Sequence, residues 1–573
     1  MKQKHQNSST QPADNVRADK RSVGRILLTC LHILLNVLAV AACGAGIYLH
    51  AVYPNEKLEE LWFYLTNGAG ESGATTFLKG AAIVGPPCLI VIATLILLQY
   101  DLFHKRLVIR RKADGTGSKK EIQIIPIRHK WIFTVVTFVL LFSIGFQFIG
   151  GFTFINSQIR GSNFIEDHYV DPRGTGTLTG TSASETAGSE AETGVDIWYD
   201  YRYPNYLVKA PAQRRNLLVI EVESLETTMF TKEQGGIWDH EVIPELYELL
   251  SDEDAIFFAS DSGTRGTQDV YGSTWTTASL IANTAGIPFK VPIGMNNKYK
   301  SEKFLQGAYS LGDVLRDFDY RNVLISGCRT SFGGVAQYFT YHGNYEIIDP
   351  YNLPDGMKIP ESQRNEWGFS DEFTFQVATK FLVNEGNNAE QPWHLFISTI
   401  DTHFTGYTYE GDGTYQGSVT KYDRQLENVY ATTSRCIGDF IKWVKQQPFY
   451  ENTTVVIIGD HTNMLKSFCD QSESESRGRY NVILNSAVTT KNVKNRSFTA
   501  LDFYPTMLAA AGFTIEGDRL GLGANLFSSR PTLAETYELA VVNAELEKKS
   551  DFYIDCIMGR EDYEELESLA EKE

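Results

Sequence analysis

The chain has 573 residues, 43% of them hydrophobic, and a formal net charge of -18. That length accommodates a large core and more than one structural unit, while the acidic balance speaks against nucleic acid as a partner. Seven cysteines are scattered without a CxxC spacing, which excludes a cysteine zinc cluster and leaves one disulfide open among Cys328, Cys436, Cys469 and Cys556.

In chain order, a basic N-terminus (1–25) with six Lys/Arg against two Asp comes first. Residues 26–49, 80–100 and 131–155 then form three stretches without a charged side chain, each long enough to cross a bilayer as a helix. The loop 101–130 carries nine Lys/Arg against three acids, whereas 50–79 carries four Glu against two Lys. The positive-inside rule puts the N-terminus and loop 101–130 in the cytoplasm and everything after about residue 155 outside. This predicts a multi-pass membrane protein, with a net of -26 on residues 131–573.

Residues 156–200 include GTGTLTGTSASETAGSEAETG (174–194), whose one large apolar residue is Leu178. Such a stretch buries too little surface to offset its ordering entropy, so it reads as a flexible linker. From 201 to 530, short apolar runs alternate with helical stretches; the strands are expected at 216–222, 255–259, 322–326, 395–400, 454–458 and 480–484. Continuous apolar runs indicate strands covered on both faces, and the alternation with helices indicates an α/β fold with a doubly wound, mainly parallel sheet sandwiched by helices. Residues 531–573, rich in Glu and Lys, read as a solvated surface helix and acidic tail.

In such sheets ligands bind beyond the carboxyl ends of the strands. LLVIEVES delivers Glu223 there, LFISTIDTH delivers Asp401 and His403, and TTVVIIGDH delivers Asp460 and His461. Two carboxylates and an imidazole suit a divalent ion such as Mn²⁺, Mg²⁺ or Zn²⁺. The Asp-His pairs at 167–168 and 239–240 follow no such strand. In GSTWTTASLIANTAGIPF (272–289), a Gly/Ser/Thr turn leads into a helix, where a hydroxyl either caps the helix or faces an anion.

Together these segments resemble the lipoteichoic acid synthase and phosphoglycerol transferase branch of the alkaline phosphatase superfamily, whose domain is sulfatase-like. Glu223 in VESLETTMF resembles the family's strand-Glu-Ser metal motif, and Gly459-Asp460-His461 its Gly-Asp-His motif. Trp275-Thr276, before a helix ending in Ala285-Gly286-Ile287-Pro288, is similar to the segment carrying the nucleophilic threonine. Asp401-Thr402-His403 is similar to the pair that contacts the substrate phosphate. Leu311-Gly312-Asp313, Asn365-Glu366-Trp367-Gly368-Phe369 and Leu520-Gly521-Leu522-Gly523 resemble segments of transferases that decorate periplasmic glucans. Where relatives have Trp-x-Arg or Phe-x-Gly-Lys, this chain reads Phe332-Gly333-Gly334-Val335, so Arg329 is the candidate for the missing positive charge.

The resemblance implies one divalent ion, manganese before magnesium or zinc, on Glu223, Thr276, Asp460 and His461. Catalysis then falls to Thr276 and His403, and substrate binding to His403, Arg329 and Trp367. The implied donor is a membrane lipid, phosphatidylglycerol, and the implied acceptor a glycan or polymer of the cell envelope. The competing readings are an ester hydrolase or a phosphoethanolamine transferase on the same fold, or an inactive envelope-binding protein. A formylglycine sulfatase is excluded, because no Cys/Ser-x-Pro-x-Arg sequence occurs.

Overall fold

The computed structural model describes residues 13–52, 58–60, 82, 84–94, 108–110, 121–123, 130–152, 154–155, 197–204, 207–290, 303–365, 367–387, 390–403, 419, 421–464, 468–469 and 477–559. The chain forms two compact units, residues 1–58 with 71–154, and residues 59–70 with 155–573. The expected linker at 174–194 and the last residues of the acidic tail lie outside the described residues.

In the first unit, helix α1 (Ala13–Val52) contains an 18-residue apolar window, Ile33–His50, long and apolar enough to span a membrane. Among the described residues it is the one helix that meets that criterion; the other apolar stretches, Val84–Thr94 and Thr134–Phe148 within helix α2 (Lys130–Phe148), are shorter. α1 and α2 cross at glycines: a Cβ on Gly46 would lie 2.3 Å from the Gly145 carbonyl oxygen. Small residues at such a crossing let the two backbones touch. Within loop 101–130, Val108–Arg110 pairs antiparallel with Glu121–Gln123.

The second unit is built on a six-stranded sheet. Its strands are β1 (Asn216–Val222), β2 (Arg321–Ser326), β3 (Glu346–Ile348), β4 (Trp393–Ser398), β5 (Thr453–Gly459) and β6 (Asn481–Leu484), in the order β3-β2-β4-β1-β5-β6. All neighbours are parallel except β5 and β6, so the sheet is mixed. The apolar runs are continuous because alternate residues serve two cores. On one face Leu217 and Val219 of β1 join Phe396, Val456 and Ile483, packed with helix α3 (Thr276–Ala285). On the other, Leu218, Ile220 and Val222 join Val323, Leu395 and Val455, packed with helices α4 (Asp371–Phe381) and α5 (Gln425–Lys445). Each fully buried Ile, Leu or Val contributes roughly 1.5–3 kcal/mol, so replacing one of them by a polar residue is costly.

Three sequence expectations are corrected. Residues 255–259 form no strand: Ile256 alone pairs with Ile483, while the Asn481 side chain accepts from Phe258 N and donates to Phe258 O, taking over the backbone's role. The short strand β3 was absent from the expected set. The chain after 530 is not solvated as far as it is described, because Leu533, Val542, Leu546, Tyr553, Ile557 and Met558 are buried in the α3-side core. Ile197 and Trp198 are buried in the same core. Among the described residues no disulfide forms.

Candidate metal and nucleophile site

Parallel pairing of β1 and β5 aligns Val222 with Gly459, so the next residues, Glu223 and Asp460, leave the sheet side by side. Gly459 is required by proximity: a Cβ there would sit 1.9 Å from the Leu225 carbonyl oxygen, where the chain folds back over β5. Ser224 takes a left-handed backbone (φ 53), which lets its amide donate to Asp460 Oδ1 (2.6 Å) and its hydroxyl to Glu223 Oε1 (2.7 Å). The amide of Glu223 donates to Thr399 Oγ1 (3.1 Å), and Thr402 Oγ1 donates to the Glu223 carbonyl. Ser224 thus holds the Glu223 carboxylate, and Thr399 and Thr402 hold its backbone.

The result is a buried cluster in which one ligand atom each from Glu223, Asp460 and His461 lies within 4.8 Å of the others. His461 Nε2 is 3.4 Å from Glu223 Oε1 and 3.3 Å from Asp460 Oδ2. Ligands about 2.0–2.2 Å from one tetrahedral ion are separated by about 3.3–3.6 Å. His461 Nδ1 contacts the Thr462 carbonyl (2.9 Å), which puts its proton on Nδ1 and turns the Nε2 lone pair inward. Asp460 Oδ2 and His461 Nε2 are buried and take no hydrogen bond among the described residues. Two inward-facing atoms with lone pairs and a third carboxylate beside them are what a divalent cation satisfies, so the donor set fits the expected ion.

The charge balance agrees. Burial opposes an ionised Glu223, yet His461 draws its pKa down to about 2. Burial, and then Glu223, push Asp460 well above the usual carboxylate range. Burial disfavours charge on His461, but Asp460 and Glu223 raise it to about 10. Without a cation, this surplus of negative charge keeps a proton on His461; a divalent ion that neutralised the carboxylates would leave the Nε2 lone pair free to ligate.

Thr276 opens α3 at its first turn, after Trp275 in extended conformation. Neither acts as a side-chain cap; Thr276 Oγ1 instead donates to Glu223 Oε2 at 3.1 Å. The hydroxyl thus faces the acidic cluster and does not cap the helix. α3 is pinned by Ser279 Oγ, which donates to the Asp460 carbonyl, and by Arg479, which reaches Ser279 Oγ (3.2 Å), Ser273 O (2.7 Å) and Asp269 (2.5 Å).

His403 stands on the loop after β4, its ring 5.4 Å from that of Trp367, which in turn meets Phe332 at 5.5 Å. Burial pulls the His403 pKa down to about 4; Glu223 acts against this and His461 with it, which places its ring in the field of the cluster. The Arg329 amide donates to the Trp367 carbonyl, and its guanidinium lies 6.0 Å from the Tyr351 ring centre on the neighbouring loop. The Phe332-Gly333-Gly334 stretch crosses the start of α3 so closely that a Cβ on Gly333 (φ 62) would meet Thr277 Oγ1 at 2.3 Å. Asp401, the neighbour of His403 in sequence, turns away: its oxygens accept from Asn365 Nδ2 (2.9 Å) and the Asp371 amide (2.8 Å) at the start of α4. Glu226 is likewise internal, paired with Arg477.

The sulfatase family model matches residues 215–513, just over half of the chain, and spans every element that carries this cluster. The chain belongs to the sulfatase family. Within the alkaline phosphatase superfamily, this sulfatase-family chain falls in the lipoteichoic acid synthase and phosphoglycerol transferase branch. It is 26% identical over 367 residues to a phosphoglycerol transferase I of Citrobacter koseri, covering 62% of this chain and 44% of the relative. To a phosphoglycerol transferase I of Xanthomonas euvesicatoria it is 26% identical over 334 residues, covering 55% and 44%. The matches thus span less than half the length of these relatives. A solved structure of the lipoteichoic acid synthase LtaP from Listeria monocytogenes aligns at 15% identity with a TM-score of 0.42, covering 56% of this chain and 79% of that one.

Of the residues expected from the sequence, Glu223, Thr276, Asp460 and His461 come together; the expectation did not include the residues that hold them, Ser224, Thr399, Thr402, Asp269 and Arg479. Only Ser224 carried a signal, as the residue after the strand-Glu.

Proposed function

We propose that this protein is a membrane-anchored, metal-dependent phosphoglycerol transferase, moving glycerol phosphate from phosphatidylglycerol to a cell-envelope glycan or polymer. The observation that carries the reading is the hydroxyl of Thr276, 3.1 Å from Glu223 at a helix N-terminus and beside a buried carboxylate–carboxylate–imidazole cluster. Glu223, Asp460 and His461 would hold the divalent ion, manganese before magnesium or zinc, with Thr276 as a further ligand. When bound, the ion supplies charge stabilisation at the phosphoryl oxygens and favours the ionised Thr276 hydroxyl.

With the ion bound, Thr276 gives up its proton to solvent, and Oγ1 forms a bond to the donor's phosphorus while the bond to the diacylglycerol oxygen breaks. The amides at the start of α3 face the phosphoryl anion. His403, neutral near pH 7, offers one N–H to a phosphoryl oxygen; a bound anion raises its pKa, and in that state it protonates the departing diacylglycerol oxygen. An acceptor hydroxyl, giving its proton to the His403 left neutral by the first step, then attacks the phosphorus as the bond to Thr276 Oγ1 breaks and frees the threonine, which gives ping-pong kinetics. Trp367 backs His403, and Arg329 at the rim supplies positive charge toward the head group.

The remaining assignments belong to the same reading. Segments 26–49, 80–100 and 131–155 all span the membrane, residues 1–25 and 101–130 are cytoplasmic, and 156–200 tethers an extracytoplasmic catalytic domain beginning near 201. The acidic charge after residue 131 and the apolar helices support this arrangement. Release of diacylglycerol from phosphatidylglycerol vesicles by the purified full chain with Mn²⁺ tests the function. Wild type releases it and Thr276→Ala does not; release by Thr276→Ala at the wild-type rate refutes the nucleophile.

A further inference from the structure

The turn that presents Thr276 has a support from an unexpected part of the chain. Tyr271, five residues upstream, is buried, and its hydroxyl donates to Glu59 Oε2 at 2.6 Å. Glu59 and Glu60 are 5% and 6% exposed, and they belong to the catalytic unit although they come from the loop between the first two apolar segments. Tyr271 is also held through its amide, which donates to Asn543 Oδ1 (2.7 Å). The next residue, Gly272, accepts from the Phe289 amide (2.8 Å), and Ser273 N closes the turn on Val270 O (3.0 Å).

Behind Tyr271 lies Lys290, 5% exposed, with Nζ donating to the carbonyls of Leu546 (2.8 Å) and Lys548. It sits 5.7 Å from the Tyr271 ring centre and 5.9 Å from that of Tyr553. A buried carboxylate persists only where hydrogen bonds and opposite charge compensate its lost hydration. Here the Tyr271 hydroxyl and the Lys290 ammonium do so, and Glu547 adds to the acidic side. None of these groups takes part in the chemistry described above.

We propose that Glu59 is a positioning residue: its buried carboxylate docks on the Tyr271 hydroxyl and fixes the Tyr271–Trp275 turn, and with it the Thr276 hydroxyl. The role rests on the reading of Thr276 as nucleophile. It also requires residues 59–60 and the catalytic domain to share one side of the membrane, so segments 80–100 and 131–155 cross as a pair. Loop 50–79, with four Glu against two Lys, has the charge of an outer loop.

The test uses the full-length protein in detergent, with Glu59→Gln, Glu59→Ala and Tyr271→Phe. Hydrogen exchange is followed in peptides covering 270–276, and turnover of phosphatidylglycerol is measured with Mn²⁺ present. Tyr271→Phe removes a single oxygen and keeps the packing, so it reports even where Glu59→Ala fails to fold. Exchange in the turn should quicken about tenfold, the effect of losing one well-made buried hydrogen bond. kcat should fall by a similar factor, with donor KM and Mn²⁺ affinity within about twofold of wild type. Wild-type exchange in both Glu59→Ala and Tyr271→Phe overturns the docking. Faster exchange with unchanged kcat, or lower kcat with unchanged exchange, overturns the positioning role. A wild-type protein that turns over no phosphatidylglycerol refutes the functional reading, and exchange alone then decides the contact.

Discussion

Gly333→Ala probes how the 332–334 loop is held over the start of α3. Gly333 has φ 62, and a Cβ added there would lie 2.3 Å from Thr277 Oγ1, 3.4 Å from Thr277 Cβ and 3.7 Å from the Trp275 ring. Left-handed backbone costs a non-glycine residue about 1–2 kcal/mol, and forcing an extra methyl into packed surroundings adds roughly 1–3 kcal/mol. Gly356 supplies the control: it has φ 77 with nothing within 4 Å of an added Cβ, so Gly356→Ala incurs the backbone cost alone. Thermal unfolding of the second unit should thus place Gly333→Ala below Gly356→Ala by an amount equivalent to about 1–3 kcal/mol. Turnover should drop in Gly333→Ala alone, because the clash falls on the residue after Thr276. Equal melting temperatures and equal turnover for the two variants would refute the claim that this loop bears on α3.

The remaining expectations concern the cluster and the core. Ser224→Ala removes the hydroxyl that donates to Glu223 Oε1; isothermal titration should show Mn²⁺ affinity lower by about 10- to 100-fold, the range for groups that orient ligands. His394, buried between strands with Nδ1 3.0 Å from the Leu217 carbonyl, has its pKa pulled by burial down to about 4. Its folded pKa lies below the unfolded value, so the unfolded chain binds the extra proton and stability is lost as pH falls from about 6.5 to about 4, by up to about 3 kcal/mol. Denaturant unfolding of His394→Leu should lose that portion of the acid slope, and an unchanged slope counts against it.

Legibility in the sequence followed the physics of each element. β1, β2, β4 and β5 were readable because strands covered on both faces must be apolar throughout. The 255–259 run has the same composition, but its neighbour β6 meets it with the Asn481 side chain where a ladder would need backbone. β3 has three residues with an exposed Glu346 and gives no periodic signal. The chain after 530 looked solvated because its acids are frequent, while the apolar residues that anchor it are spread over separate short helices. In the site, strand ends revealed Glu223, Asp460 and His461. The side-chain direction of Asp401 could not be read, since it depends on the α4 amide that captures it. Glu59 was invisible for a related reason: its partner Tyr271 is distant in sequence, and nothing in EKLEELWF marks one glutamate for burial.

The most direct measurement is the intact mass of the purified full chain after incubation with phosphatidylglycerol and Mn²⁺, with fragmentation to locate any added group. The account predicts one glycerophosphoryl group on Thr276, absent from Thr276→Ala and from Asp460→Asn. A phosphoethanolamine or sulfate adduct contradicts the donor, and a glycerophosphoryl group on any other residue contradicts the site.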